Sequence, residues 1–353
     1  MAGASEKIAA GRFFEDFRLG ETLRHPTPRS VSEGDAALYA AIFGSRFAVQ
    51  SSNPFAAAIG YPKSPVDDLL AFHIVFGKTV ADISLNAIAN LGYADCRFLK
   101  PVYPGDTLSA TSEVIGLKEN SNRQSGVVYV RSNGFNQRGE IVLDYVRWVM
   151  VRKRDPNAPA PAAFFPDLPT AVGVDALGAA CPKIDRGAYD AVLAGSPHLW
   201  GDYAVGEKID HVDGVTIEEA EHQIATRLFQ NNAKVHFNQF SEAKGRFGRR
   251  LIYGGHVISL ARSLSFNGLA NAFHIAAINA GRHAAPLFAG DTVFAWSEVL
   301  ARAPLPGRDD VGALRVRTVA TKNRPCADFP DRDGEGYDAA VILDLDYWVL
   351  APR

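Results

Sequence analysis

The chain contains itself twice, and this duplication constrains its fold more than any local signal. Gly20-Glu21 returns as Gly206-Glu207, and Gly105-Asp106-Thr107 returns as Gly290-Asp291-Thr292. A true repeat keeps a constant offset and slips only where a loop or turn gains or loses residues. Gly20/Gly206 and Gln50/His236 lie 186 apart, whereas Arg97/Arg282, Pro101/Pro286 and Ser112-Glu113-Val114/Ser297-Glu298-Val299 lie 185 apart. Leu143-Asp144 and Trp148-Val149 then match Leu343-Asp344 and Trp348-Val349 at 200, so the second copy carries 15 extra residues (200 less 185). The polar, Gly- and Pro-containing stretch 321–337 is the place for them and reads as a surface loop.

At 353 residues the chain exceeds the roughly 250–300 residues over which a single core usually grows, so each copy is expected to form its own unit. The boundaries fall at 11–154 and 197–353. Between them, 155–196 is Ala-rich and punctuated by Pro156, Pro159, Pro161, Pro166 and Pro169. Proline lacks the helix-forming N–H, so this segment reads as an extended linker over the surface, with one short helix near Arg186 to Leu193. Within each copy the order of signals is the same. A first helix spans Val31 to Phe43, or Val215 to Phe229, and a longer one spans Pro65 to about Leu91, or Leu251 to about Leu269. Strands rich in β-branched and aromatic residues follow at 127–130, 141–151, 313–320 and 339–350. One apolar helix followed by antiparallel strands predicts an α+β layer, with the sheet wrapped around the helix.

Composition narrows the function. A net charge of -2 with 22% charged residues provides no basic excess for a phosphate backbone, so no nucleic-acid partner is expected. The opening MAGASEKIAAGRFF has no signal-peptide pattern, and no unbroken apolar run reaches the roughly 18–20 residues of a membrane span. A cytoplasmic location without membrane contact is the expectation. Cys96, Cys181 and Cys326 are odd in number and far apart, which fits neither a disulfide framework nor a zinc site. Neither His73 nor His256 pairs with a cysteine or carboxylate at a metal-ligand spacing, and no metal is expected.

The copies disagree where chemistry would sit. The segment Phe229-Gln230-Asn231-Asn232-Ala233-Lys234-Val235-His236 corresponds to Gly44-Ser45-Arg46-Phe47-Ala48-Val49-Gln50, so glutamine stands in the first copy where the second has histidine. The second copy resembles the MaoC-like (R)-specific enoyl-CoA hydratases, whose signature runs aromatic, small residue, Gly-Asp, any residue, Asn-Pro, aliphatic, His. On that match the family's histidine falls on His236, its aliphatic residue on Val235 and its catalytic aspartate on Asn231. The resemblance continues through Tyr253-Gly254-Gly255-His256-Val257 at a helix start, and through Pro286 to Thr292 and Pro101 to Thr107. It spans nearly all of both copies and implies a tandem, or double, hot-dog fold packed as a pseudo-dimer that can pair again as a homodimer. By their length, linker and Gln230–Phe237 segment the two copies resemble one narrower branch of this family, and that resemblance implies a short, branched, dicarboxylic enoyl-CoA as the small-molecule partner. The CoA thioester is then the substrate, and no cofactor is implied.

Elementary chemistry agrees with this. Hydrating an α,β-unsaturated thioester needs a base for water, donors for the charge on the thioester oxygen and a proton for the α carbon. His236 has the residue type whose ordinary pKa, about 6.5, suits the transfers. The N–H groups of Gly254 and Gly255, at a helix start, are candidate oxyanion donors, and glycine there lets a ligand approach the backbone. Asn231 can orient water but cannot transfer a proton as a carboxyl group does. Tyr253 and Val235 flank the site as candidate substrate contacts, and Arg46 is a candidate to reach a substrate carboxylate across the copies. His73 and His256 read as core or capping residues, and Arg97, Arg282 and the Gly-Asp-Thr turns read as scaffold. Two alternatives remain open at this level: a hot-dog thioesterase, in which water attacks the carbonyl, and a non-catalytic acyl-CoA binding protein.

Overall fold

The computed structural model describes residues 7–353. In the first copy, β1 (Thr22–Ser30) leads to α1 (Glu33–Phe43), α2 (Asp68–Thr79) and four strands: β2 (Ala87–Phe98), β3 (Thr107–Glu119), β4 (Ser125–Phe135) and β5 (Ile141–Arg152). The second copy repeats this as β6 (Lys208–Asp210), α3 (Glu219–Leu228), α4 (Gly254–Leu264), β7 (His274–His283), β8 (Thr292–Pro304), β9 (Val311–Lys322) and β10 (Val341–Pro352). The strands form one sheet in the order β1-β3-β4-β5-β2-β7-β10-β9-β8-β6, with the two-residue strand Val215–Thr216 also on β8. The second half of that order is the first half reversed. This is the pseudo-dimer expected from the repeat, an α+β double hot-dog.

The two copies meet at β2 and β7, which pair Tyr93 with Gly281 and Cys96 with Ile278. Subtracting the offset of 185 turns Gly281 into position 96 and Ile278 into position 93, so the seam pairs each position with its own counterpart's partner. That reciprocity defines a twofold axis. The helices lie against the sheet in a core shared by both copies, from Leu69 and Phe72 on α2 to Val257 and Ala261 on α4.

Local chemistry explains the helix limits. Ser32 and Asp35 exchange side chain–backbone bonds at the start of α1, and Gly44 ends it at φ +67°. Helix α2 stops earlier than the sequence suggests, because a π turn at Val80–Ser84 leads directly into β2, and residues 87–91 are strand. A π turn holds one extra residue, and this is where the repeat offset falls from 186 to 185. Helix α4 likewise ends at Leu264, with a separate turn at Phe266–Leu269.

Two sequence expectations need correction. Residues 155–196 do more than cross the surface: Val172, Leu177, Cys181, Ile184 and Ala194 are buried in a second core against Ala277, Ala313 and Trp348 of the sheet. These apolar residues cover a sheet face that would otherwise be wet. In place of the expected helix near Arg186 to Leu193 there is a single 3-10 turn, Arg186–Ala188, with another at Val174–Ala176. The 15 extra residues fold back as a small hairpin, Arg332–Asp333 with Gly336–Tyr337. Phe329 meets the fully buried Trp296 edge-on, and the Pro330 carbonyl accepts its indole N–H.

Positions matched by the repeat carry matched scaffold bonds. Asp106 accepts from Tyr103 N and Gln137 Nε2, and Asp291 accepts from Phe288 N and Asn323 Nδ2, so both Gly-Asp-Thr turns are structural. A buried His25–Ser112–Ser132 chain in one copy is His211–Ser297–Thr318 in the other.

Candidate active site

The motif residues sit in a turn between α3 and α4. Asn231 Oδ1 accepts the Ala233 N–H at 3.1 Å, an Asx turn that leads into one helical turn, Lys234–Phe237. Leu251 fastens this turn at both ends: its N–H donates to Val235 O at 3.0 Å, and its carbonyl accepts His236 Nδ1 at 2.9 Å. The second bond fixes the tautomer, with the proton on Nδ1 and the lone pair on Nε2. Among the described residues Nε2 has no hydrogen-bond partner. Burial lowers the pKa of His236 to about 4 and outweighs the opposing Leu251 carbonyl, so the ring is neutral at pH 7. The ring is partly exposed and packs edge-on against Tyr253 at 5.4 Å and His222 at 6.0 Å.

Tyr253 is the N-cap of α4 and gives that helix no side-chain cap. Its own N–H donates to His222 Nε2 at 2.9 Å, and its hydroxyl meets His73 Nδ1 at 3.3 Å. The Gly254 and Gly255 N–H groups find no acceptor among the described residues. Glycine is required at both positions: an added Cβ would lie 2.4 Å from the His283 ring at Gly254, and 2.4 and 2.5 Å from Tyr253 and His73 at Gly255. His283 brings a further unpaired Nε2 to this cluster.

The first copy shows what the equivalent position does when it is closed. Tyr253 corresponds to Asp67 at the offset of 186, and Gly255 to Leu69. There Asp67 Oδ1 accepts the Leu69 N–H at 2.9 Å, while Asp67 Oδ2 accepts from Ser45, the counterpart of Asn231, at 2.8 Å. Gln50, the counterpart of His236, donates to Phe273 O at 2.8 Å. In the first copy the Leu69 N–H, the Ser45 hydroxyl and the Gln50 amide N–H are all engaged internally. In the second copy the same N–H and the same ring edge are free.

A cavity of about 570 Å³ opens beside the second motif, between the copies, and Asn231, Asn232, Gln230 and Phe237 line it together with Gly77, Lys78 and Thr27 of the first copy. The structure therefore brings His236, Tyr253, Gly254 and Gly255 into one cluster, with Asn231 on the cavity wall, and Val235 holds the turn through its carbonyl. It does not bring Arg46 there. Arg46 is exposed and stacks on Phe266, 4.6 Å from its centroid, at the closed motif. Sequence reasoning missed His283, His222, Gly77 and Lys78. Gly77 and Lys78 differ from their counterparts at offset 186, Ser263 and Leu264, and that difference was the available signal.

Comparison with known proteins bears on the fold and the family. A model of the MaoC like domain matches residues 15–134, in the copy that lacks the histidine. The chain is 66% identical over 350 residues to β-methylmalyl-CoA dehydratase of Chloroflexus aurantiacus, covering 99% of each. It is 63% identical over 351 residues to mesaconyl-CoA hydratase of Cereibacter sphaeroides, covering 98% of this chain and 100% of that one. A crystal structure of a putative MaoC domain protein dehydratase from Chloroflexus aurantiacus superposes with a TM-score of 0.97 at 66% identity, covering 99% of both chains. A Mycobacterium tuberculosis protein with a double hotdog fold superposes at 0.73 with 24% identity, over 96% of this chain and 98% of that one, a likeness of fold alone. Identity at this level across both copies, the linker and the motif turn leaves one conclusion: the chain belongs to the MaoC-like dehydratase family.

Proposed function

We propose that the protein reversibly adds water across the double bond of a short, branched, carboxylate-bearing enoyl-CoA, interconverting mesaconyl-CoA and β-methylmalyl-CoA. One observation carries the reading: the helix-start N–H that Asp67 closes in the first copy is open at Gly255 in the second, beside a neutral histidine with a free Nε2. The names of the two full-length relatives support the substrate.

The chemistry follows from these groups. Water loses a proton to His236 Nε2 as its oxygen bonds to the β carbon. The π electrons move to the thioester oxygen, where the Gly255 and Gly254 N–H groups and the positive end of α4 take up the charge. The enolate then collapses and the α carbon takes the proton back from Nε2. One imidazole serves both transfers, so hydrogen and hydroxyl enter from the same face. Asn231 orients the water through its amide. All electron pairs move among water, substrate and His236, so the cycle calls for no cofactor. The first copy supplies one cavity wall and the shared core.

The test is the loss of enoyl-thioester absorbance with mesaconyl-CoA in wild type, His236→Ala and His236→Gln. Loss of a general base lowers the rate by about 10²–10⁴-fold, with melting and circular dichroism unchanged. Near-normal turnover in a folded His236→Ala protein would sink the reading, and release of free CoA thiol would transfer it to hydrolysis.

A further inference from the structure

The cavity between the copies holds a buried charge that the mechanism does not use. Lys78, in the last turn of α2, is 4% exposed. Its ammonium donates to Thr27 O and, at 3.3 Å, to Gln230 Oε1, both neutral acceptors. No carboxylate pairs with it among the described residues. The cavity lining contains Arg227 and no aspartate or glutamate. A buried ammonium without a counter-charge is unfavourable unless something supplies one. Burial, followed by the nearby Arg29, lowers the pKa of Lys78 to about 8, which still leaves it protonated at pH 7.

The duplication shows that this cation is not scaffold. At the offset of 186 its counterpart is Leu264, buried and apolar. Only the helix that faces the open motif carries a charge at this position. Asn231 also gains a reason. An aspartate there would add a carboxylate to the wall of the cavity that Lys78 lines, whereas the amide adds no counter-charge.

We propose that Lys78 binds the free carboxylate of the acyl group and so selects dicarboxylic over monocarboxylic enoyl-CoA thioesters. The inference rests on the hydratase reading. CoA phosphates are the other source of anionic oxygen, and they are common to every substrate of this class.

The experiment compares kcat/KM for mesaconyl-CoA and crotonyl-CoA in wild type and Lys78→Met. Losing a charge-assisted bond to a desolvated carboxylate predicts a fall of about 30- to 100-fold for mesaconyl-CoA, chiefly in KM, and a loss at least about tenfold smaller for crotonyl-CoA. Equal losses would mean a phosphate contact or a structural role and overturn the proposal, as would no loss with either. Methionine replaces an unpaired buried cation at similar volume, so the variant is expected to fold. If it does not, wild type is tested with the saturated inhibitors methylsuccinyl-CoA and 2-methylbutanoyl-CoA. Tighter binding of the dicarboxylic thioester that weakens as pH rises through about 8 supports the proposal. Equal inhibition overturns it. A wild type that does not hydrate mesaconyl-CoA refutes the hydratase reading instead, and the inhibitor comparison still decides the role of Lys78.

Discussion

Gly77→Ala tests whether the close approach of the two copies positions the active motif. Gly77 lies on α2 of the first copy, where an added Cβ would stand 1.8 Å from Phe229 O and 2.9 Å from Phe229 C in the second. Ordinary contact begins near 3.4 Å, so helix and motif must separate by about 1.6 Å (3.4 less 1.8). Phe229 and Gln230 immediately precede Asn231, so that movement is transmitted to the water-orienting amide and the His236 turn. Stability falls as well, because the atoms met are backbone and cannot rotate aside. Glycine to alanine in a helix gains about 1 kcal/mol, overpacking at the upper end of its usual range costs about 3 kcal/mol, and the net is a loss of about 2 kcal/mol. The melting temperature is then expected to fall by no more than several degrees. Catalysis is far more sensitive, because a misplacement of about 1 Å costs on the order of 10²-fold. The assay is kcat/KM with mesaconyl-CoA alongside thermal melting, with Gly34→Ala as the control. A Cβ at Gly34 meets only Ser32 Oγ at 3.5 Å, so that variant keeps its activity and gains slightly in stability. Wild-type kcat/KM in Gly77→Ala would refute the reasoning, as would a collapse of the fold.

Two further outcomes follow from the buried groups. Asn231→Asp keeps the acceptor for Ala233 N–H but introduces a carboxylate beside Lys78, so KM for mesaconyl-CoA should rise while crotonyl-CoA is affected less. A gain with both substrates would show instead that the motif had simply lost its acid. Acid should unfold the protein early. Burial lowers His73 and His256 to about 3, His222 to about 2, and His211, His236 and His283 to about 4. These folded values lie below the unfolded value near 6.5, so their contribution is complete above pH 6.5 and is lost as pH falls through about 4 for three of them and further, to about 3 or 2, for the others. Each site contributes at most about 1.4 kcal/mol per pH unit, so together they remove several kcal/mol between pH 6 and 5. A denaturation midpoint that does not move between pH 7 and 5 would contradict this.

Much of the fold was legible because the repeat is a long-range signal written in one dimension. The offsets 186, 185 and 200 located the two copies and the insertion, and their order reappears as the reversed strand order of the sheet. The clustering of His236 with Tyr253, Gly254 and Gly255 could be anticipated because the motif and the helix start carry local chemistry. Helix limits were less legible, since the mixed stretch 80–91, with Ile83, Leu85, Ile88 and Leu91 among polar residues, serves equally well in a helix or a strand. Arg46 was misplaced for a geometric reason: the twofold axis sends each motif to the opposite end of the seam, so Arg46 faces Phe266 rather than His236.

The sequence by itself determined that there are two copies, that one lacks the histidine, and that the other replaces an acid with Asn231. Those are statements about residue type and spacing. Only the tertiary structure decided why the first copy is silent and the second open. Asp67 reaches the Leu69 N–H and Ser45, whereas Tyr253 caps nothing and turns to His73, leaving Gly255 free. Only the fold, likewise, placed Lys78 beside Asn231, some 150 residues away in the chain. Side-chain direction and contacts between copies depend on packing around the twofold axis, which no local pattern encodes.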